Sequence, residues 1–340
     1  TAVRRAAAEL EGSFALVVVA LDRPDEIVAA RRHSPLVIGV GEGENFLASD
    51  VSAFLKHTRN VIYVEDDNVA TITREGVSVC DLDGNAVEVQ VQTVDWDAAM
   101  AERGGYEHFM LKEIHEQPKA LRDTMRGRIL EYMDCVELPG INLTDDEIRK
   151  IKRIVMVACG TAYHASLAAK YVIESLCRIP VEVDVASELR YRDPVIDEDT
   201  LAIAISQSGE TIDTIVGMRE AKSKGAKVIA VTNVVGSLAA READGVLYTY
   251  AGPEIAVAST KAYTTQIMVL NLIALYFAQV RGTIDEDRAR ELRGALWELP
   301  AQAENILGDY KDIVAAAERY YCFNGFLFMA RGINLASSLE

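Results

Sequence analysis

The sequence predicts an α/β protein in two regions: a β-rich stretch to about residue 94, and a stretch from about 151 to 282 built on a five-stranded doubly wound parallel sheet. Three observations carry this. In the first region, short alternating or apolar runs succeed one another at close spacing with turn signals between them, the pattern of antiparallel sheet. In the second, five apolar runs alternate with segments of helical spacing, as buried parallel strands and their crossovers do. Finally, the hydroxyl-rich Ser206-Gln207-Ser208-Gly209-Glu210-Thr211 stands directly behind the apolar Leu201-Ala202-Ile203-Ala204-Ile205, where a strand hands over to a helix.

Taken in order, residues 1–10 read as an amphipathic helix, and strands are expected at 13–20, 26–30, 36–39, 45–49, 60–64, 69–73 and 77–81. The turns fall at Glu65-Asp66-Asp67-Asn68 and Asp83-Gly84-Asn85. Residues 93–146 form a polar, helix-leaning connector whose helix over 106–115 is expected to stop at Pro118. His108 and His115, seven apart, would share a face of that helix in a packing or interdomain role. The parallel strands are expected at 154–158, 181–186, 201–206, 228–232 and 246–250, with helices over 162–177, 211–224, 237–242 and 259–280. Beyond 285, helices and one strand at 326–330 would begin a further domain.

With 340 residues the chain has room for two domains, each with a full core. Its net charge of −17 argues against nucleic acid, whose binding depends on basic patches. No run approaches the roughly 18 consecutive apolar residues of a membrane span, and no signal peptide precedes Thr1. The five cysteines (Cys80, Cys135, Cys159, Cys177, Cys322) are scattered and odd in number, which fits reduced thiols and a cytoplasmic location. The five histidines lack metal-ligand spacing, so no metal is expected. Both ends read as cut, as in an internal fragment of a longer protein.

The loop 206–211 offers free N–H groups, a helix N-terminus and several hydroxyls at one point, the chemistry of a phosphate cradle. It has no lysine and does not match the nucleotide P-loop pattern. Four polar donors in six residues exceed what a helix cap uses, and each hydrogen bond to a charged phosphate would contribute about 1.5–3 kcal/mol. Cys159-Gly160-Thr161 closes the first parallel strand on the same sheet edge; it either approaches a ligand through Gly160 and the Thr161 hydroxyl or simply caps a helix. The stretch Glu254-Ile255-Ala256-Val257-Ala258-Ser259-Thr260-Lys261-Ala262 either lines a sugar pocket with small residues or is a closely packed helix start with Lys261 in solvent. Cys159 has no histidine partner in sequence, so a nucleophilic role is set aside, and His164 reads as a helix-face residue.

On these segments the chain resembles the glutamine–fructose-6-phosphate aminotransferases, also called glucosamine-6-phosphate synthases. Phe14, Ala30-Arg31, Ser34-Pro35-Leu36-Val37-Ile38-Gly39, Asn45-Phe46 and Ala48-Ser49-Asp50 are similar to the later half of that family's glutaminase domain, an N-terminal-nucleophile amidotransferase. Lys112-Glu113-Ile114-His115-Glu116-Gln117-Pro118 resembles its linker into the sugar isomerase (SIS) region. Ala158-Cys159-Gly160-Thr161, Ala186-Ser187-Glu188-Leu189-Arg190-Tyr191-Arg192, the 206–211 loop and Val257-Ala258-Ser259-Thr260-Lys261-Ala262 resemble the first SIS domain, and Arg331-Gly332 with Glu340 the opening of the second. The resemblance implies a partial glutaminase domain over 1–94, a linker over 95–146, a first SIS domain over 147–284 and the start of a second over 285–340.

It implies further that the parent enzyme hydrolyses glutamine, channels ammonia, and converts fructose 6-phosphate into glucosamine 6-phosphate without metal or organic cofactor. Phosphate contacts would fall on Ser206, Gln207, Ser208 and Thr211; sugar contacts on Cys159, Gly160, Thr161, Val257, Ala258 and Ser259. The family usually has Ser where Ala162 stands here, which removes one hydroxyl. The family's nucleophilic cysteine and its imine lysine, glutamate and histidine find no match, so no catalytic residue is expected within the chain and the fragment alone would complete neither half-reaction. The implied partners are fructose 6-phosphate, glutamine and a second copy joined through the SIS domains. Two other readings stand beside this one: a non-catalytic SIS module that senses a phosphosugar, and a SIS deglycase or isomerase for another phosphosugar amine. Residues 1–94 discriminate against both. A dinucleotide enzyme is excluded because no G-x-G-x-x-G follows the first parallel strand.

Overall fold

A computed structural model of the chain describes residues 1–94, 102–129 and 135–340, so parts of the expected 95–146 linker lie outside the described residues. The chain divides into two compact units, Thr1–Gly105 and Tyr106–Glu340.

In the first unit, helix α1 (Ala2–Glu9) precedes nine strands: β1 (Phe14–Ala20), β2 (Arg23–Arg32), β3 (Val37–Val40), β4 (Asn45–Ala48), β5 (Asn60–Tyr63), β6 (Asn68–Ile72), β7 (Val77–Asp81), β8 (Ala86–Val87) and β9 (Gln92–Thr93). They form two antiparallel sheets, ordered β1-β2-β6-β7-β8 and β4-β3-β5-β9. Inward residues of both, Ala29, Ile38, Ile62, Ala70 and Ile72 among them, close one shared core. On the other face of the first sheet, Ala7 of α1 packs with Ala30 and Val69. The seven longer strands follow the alternation of the sequence; β8 and β9, two residues each, are too short to leave a periodic signal.

The second unit begins with α2 (Phe109–Met125) and α3 (Asp145–Lys150) and continues β10 (Arg153–Ala158), α4 (Gly160–Cys177), β11 (Val181–Val185), α5 (Ala186–Leu189), β12 (Thr200–Ser206), α6 (Ile212–Ser223), β13 (Lys227–Thr232), α7 (Leu238–Glu242), β14 (Gly245–Tyr248) and α8 (Lys261–Arg281). The five strands pair in parallel in the order β11-β10-β12-β13-β14. This is a doubly wound α/β sheet whose winding reverses between β10 and β12. Alternate residues sort to opposite faces. Leu201, Ile203 and Ile205 join the large cluster under α4 and α8, while Ala202 and Ala204 face α6. On the alanine side the helix comes close: a Cβ added to Gly217 of α6 would lie 2.7 Å from Val157.

Helix α8 is long and apolar enough, by length and composition, to cross a membrane, but it is the core helix of this unit. Met268, Val269, Leu270, Leu272, Ile273, Leu275 and Phe277 are all buried. Each such side chain contributes about 1.5–3 kcal/mol on burial.

Three expectations fail on contact. Helix α2 does not stop at Pro118 but runs through it to Met125. Proline cannot donate to the Ile114 carbonyl, and the Gln117 side-chain amide does so instead, at 3.0 Å. His108 is the residue preceding α2, not a member of its face, whereas His115 packs its ring 5.3 Å from Tyr106 and 5.5 Å from Tyr310. Beyond α8 come α9 (Glu286–Gly308), α10 (Lys311–Tyr320) and α11 (Asn334–Leu339), but residues 326–330 form no strand. No strand among the described residues pairs with them, and a lone extended segment has no ladder to hold it. Phe326, Leu327, Phe328 and Met329 are accordingly exposed.

Candidate functional site

In a doubly wound sheet the crevice for a ligand opens beyond the carboxyl ends of the strands at the switch point. Here two loops meet at that point. After β10, Cys159 keeps extended backbone (φ −127°, ψ 152°) and α4 begins at Gly160. After β12, Ser206 opens the loop that leads to α6. Between them lies a cavity of about 220 Å³.

The loop after β12 is fixed from inside and outside. The Ser206 Oγ accepts the Gly209 N–H at 3.0 Å and shares a hydrogen bond with Thr211 Oγ1 at 2.9 Å. The Ser208 Oγ accepts the Glu210 N–H at 3.1 Å. From the segment after β13, the Asn233 N–H donates to the Gln207 carbonyl and the Ala239 N–H to the Gly209 carbonyl. Glu210 turns away and accepts the Leu238 N–H at 2.8 Å. Gly209 makes this possible: its φ is +66°, and an added Cβ would lie 2.1 Å from Ser237 Oγ and 2.7 Å from Thr232 Oγ1. The first N–H groups of α6 have no intrahelical partner and carry the positive end of the helix dipole toward this edge.

A third wall comes from the loop before α8. The Glu254 carboxylate accepts the N–H groups of Thr260 (2.9 Å) and Ala262 (3.1 Å) and the Ser259 hydroxyl (2.8 Å). Glu113 of α2 accepts the N–H groups of Ile255 (2.7 Å) and Ala256 (3.2 Å). Burial pushes the Glu113 carboxyl above its ordinary value, against the pull of those two N–H groups. Lys261 is not in solvent: it is 2% exposed and pairs with Glu116 at 2.7 Å, which Lys112 also approaches at 3.3 Å.

The cavity brings together most of the residues singled out in the sequence. Cys159, Thr161, Ser206, Gln207, Ser208, Thr211, Val257 and Ser259 line it; Gly160 and Ala258 do not. Val257 stands on the rim with its side chain fully exposed. The Thr161 hydroxyl donates to the Glu340 carboxylate, which also bonds His164 Nδ1 at 2.6 Å. Burial pushes the Cys159 thiol up, more than the Ala186 N–H pulls it down, so the thiolate is disfavoured. Sequence reasoning missed Ile205, Thr214, Gln266 and the part played by Glu254 in the lining. Thr214 was within reach, one helical turn past Thr211 on the same face. Ala162 is itself in the wall. The lining holds no lysine, arginine or histidine among the described residues. Among the described residues no group of three or more His, Cys, Asp or Glu could hold a metal.

The SIS domain family matches residues 147–276, the stretch that builds all three walls. Over 339 of its 340 residues the chain is 52% identical to the glutamine–fructose-6-phosphate aminotransferase (isomerizing) of Caldanaerobacter subterraneus subsp. tengcongensis. It is 53% identical over the same length to the enzyme of that name from Symbiobacterium thermophilum. The chain carries a SIS domain and is similar over its length to these aminotransferases. It spans about half the length, 56%, of the curated relatives it matches. The C-terminal domain of glucosamine-fructose-6-phosphate aminotransferase from Francisella tularensis superimposes with a TM-score of 0.66 at 34% identity, covering 70% of this chain and 66% of that one. The α/β fold with its five-stranded parallel sheet is thus the fold of the SIS domain.

Proposed function

We propose that this chain carries the sugar-phosphate-binding part of an aminotransferase that converts fructose 6-phosphate and glutamine into glucosamine 6-phosphate and glutamate. The observation that carries the reading is the hydroxyl-lined cavity at the switch point, closed by Ser206, Gln207, Ser208 and Thr211 at the start of α6. A phosphate there meets a helix N-terminus and neutral donors. Ser206 and Thr211 share one proton between them, so the pair keeps one O–H free to donate outward. Glu254 already accepts three hydrogen bonds, which disperse its charge within the wall. With no lysine or histidine among the described residues of the lining, the cavity binds and orients; it offers no imine-forming amine and no imidazole for proton transfer.

Within the same reading, residues 1–94 are the later half of a glutaminase domain, 95–146 a linker, 147–284 a first SIS domain and 285–340 the start of a second. Two packed antiparallel sheets with a helix on one outer face support the first assignment, and the full-length match to the relatives supports them all. We place the protein in the cytoplasm as a homodimer through its SIS domains, acting on small molecules without nucleic acid, membrane or cofactor.

Calorimetric titration of the chain with fructose 6-phosphate and with unphosphorylated fructose tests the site. Binding should require the phosphate and weaken by about tenfold or more in Ser208→Ala, equivalent to about 1.4 kcal/mol. Equal affinity for the two sugars would remove the phosphate from this loop.

A further inference from the structure

One polar group in the cavity wall has no work in the phosphate cradle. Gln266 lies on the second turn of α8 and is 2% exposed, yet it lines the cavity. Its side-chain oxygen is buried without a hydrogen-bond partner among the described residues. Buried amide oxygens are nearly always paired, because an unpaired one forfeits its hydration without return. Further along α8 the buried side chains are apolar, from Met268 to Phe277, and pack into the core. An amide in this row is there for a polar partner, and the cavity is the space beside it.

The chemistry of that partner follows from the amide itself. It is uncharged and presents one acceptor and one donor edge, whichever way round the oxygen and nitrogen lie. A dianionic phosphate would use the N–H edge alone and leave the oxygen unpaired, since the phosphate has no proton to give. The amide matches a hydroxyl, or a hydroxyl beside a carbonyl, on a neutral polyol. We propose that Gln266 is a specificity-determining residue whose amide oxygen accepts a hydrogen bond from a hydroxyl of the sugar portion of a phosphosugar. The proposal rests on the reading of this cavity as a phosphosugar site; it divides the site between a phosphate-holding loop after β12 and a sugar-reading side chain on α8.

The test is calorimetry on the chain with two probes, fructose 6-phosphate and methyl phosphate, using wild type, Gln266→Met and Ser208→Ala. Gln266→Met keeps the length of the side chain and removes both amide edges. It should weaken fructose 6-phosphate by about tenfold or more while leaving methyl phosphate unchanged; Ser208→Ala should weaken both. Unchanged fructose 6-phosphate affinity in Gln266→Met, or an equal loss for both probes, overturns the role of Gln266 and leaves the phosphate cradle standing. A wild-type chain that binds neither probe overturns both. Thermal midpoints are recorded alongside, with Gln266→Leu as a second apolar variant. Removal of an unpaired buried oxygen should leave the midpoint equal or higher, and failure of both variants to fold would make Gln266 a core residue and overturn the proposal.

Discussion

The two loops that face each other across the cavity are held by opposite means. The loop after β12 is fastened by short-range bonds: Ser206 to Gly209 and Thr211, Ser208 to Glu210, all within six residues. The loop before α8 is fastened by carboxylates and by the ion pair of buried Lys261 with half-buried Glu116; the partners on α2, Glu113 and Glu116, lie 142 and 145 residues away in sequence. The first wall is thus shaped largely by its own sequence and then held in place by the N–H groups of Asn233, Leu238 and Ala239. The second closes locally on Glu254, but Ile255, Ala256 and the Lys261 side chain find their partners only once α2 has docked on α8. The largest effect is expected where the second arrangement is broken. Glu116→Ala would leave Lys261 buried and unpaired, and removal of one partner of a buried pair costs about 3–5 kcal/mol. Urea denaturation should show that loss, and the affinity for fructose 6-phosphate should fall with it. A loss under about 1 kcal/mol would mean that Lys261 finds water or another acceptor, as an exposed pair would.

The first wall should break through its backbone. Gly209→Ala places a Cβ within 2.1 Å of Ser237 Oγ, a fully buried residue, at a φ of +66°. Strain of an L-residue in that region and overpacking each cost about 1–3 kcal/mol. A combined loss of about 2 kcal/mol or more is expected from these two terms, again by urea denaturation, with phosphate affinity lost as the loop shifts. Stability unchanged by the alanine would show that Ser237 can move aside and that the glycine is dispensable.

The same contrast explains what could be read from the sequence. The five parallel strands are short apolar runs that announce themselves, and the cradle loop is contiguous, so Ser206, Gln207, Ser208 and Thr211 could be named from local pattern alone. The clamps could not. Nothing near Glu254 or Lys261 in sequence says that Glu113 and Glu116 will meet them. Nor does a pattern say that Gln117 will cover the carbonyl that Pro118 abandons. Residues 326–330 failed in the other direction: an apolar run has strand character in itself, but a strand is a pairing, and the partner is a fact of the fold.

The smallest and most diagnostic test concerns the charge on Glu113. Its carboxyl is held above the ordinary value because burial disfavours the ionised form more than the Ile255 and Ala256 N–H groups favour it, and its second oxygen is buried without a partner. A carboxyl raised in the folded state binds its proton more tightly there than in the unfolded chain. Its contribution to stability is thus fully present below the ordinary carboxylate value of about 4.5 and is lost as pH rises through the folded value. Glu113→Gln keeps an acceptor for both N–H groups and adds an NH2 where the unpaired oxygen lay, without the charge. The wild type should therefore lose stability relative to Glu113→Gln as pH rises above about 4.5, read from paired urea curves at several pH values. A difference that stays flat with pH would mean that the clamp works through hydrogen bonding alone. A difference that moves in favour of the wild type as pH rises would mean that the attraction of Lys261 outweighs burial, and that the two ionic devices on α2 act as one network.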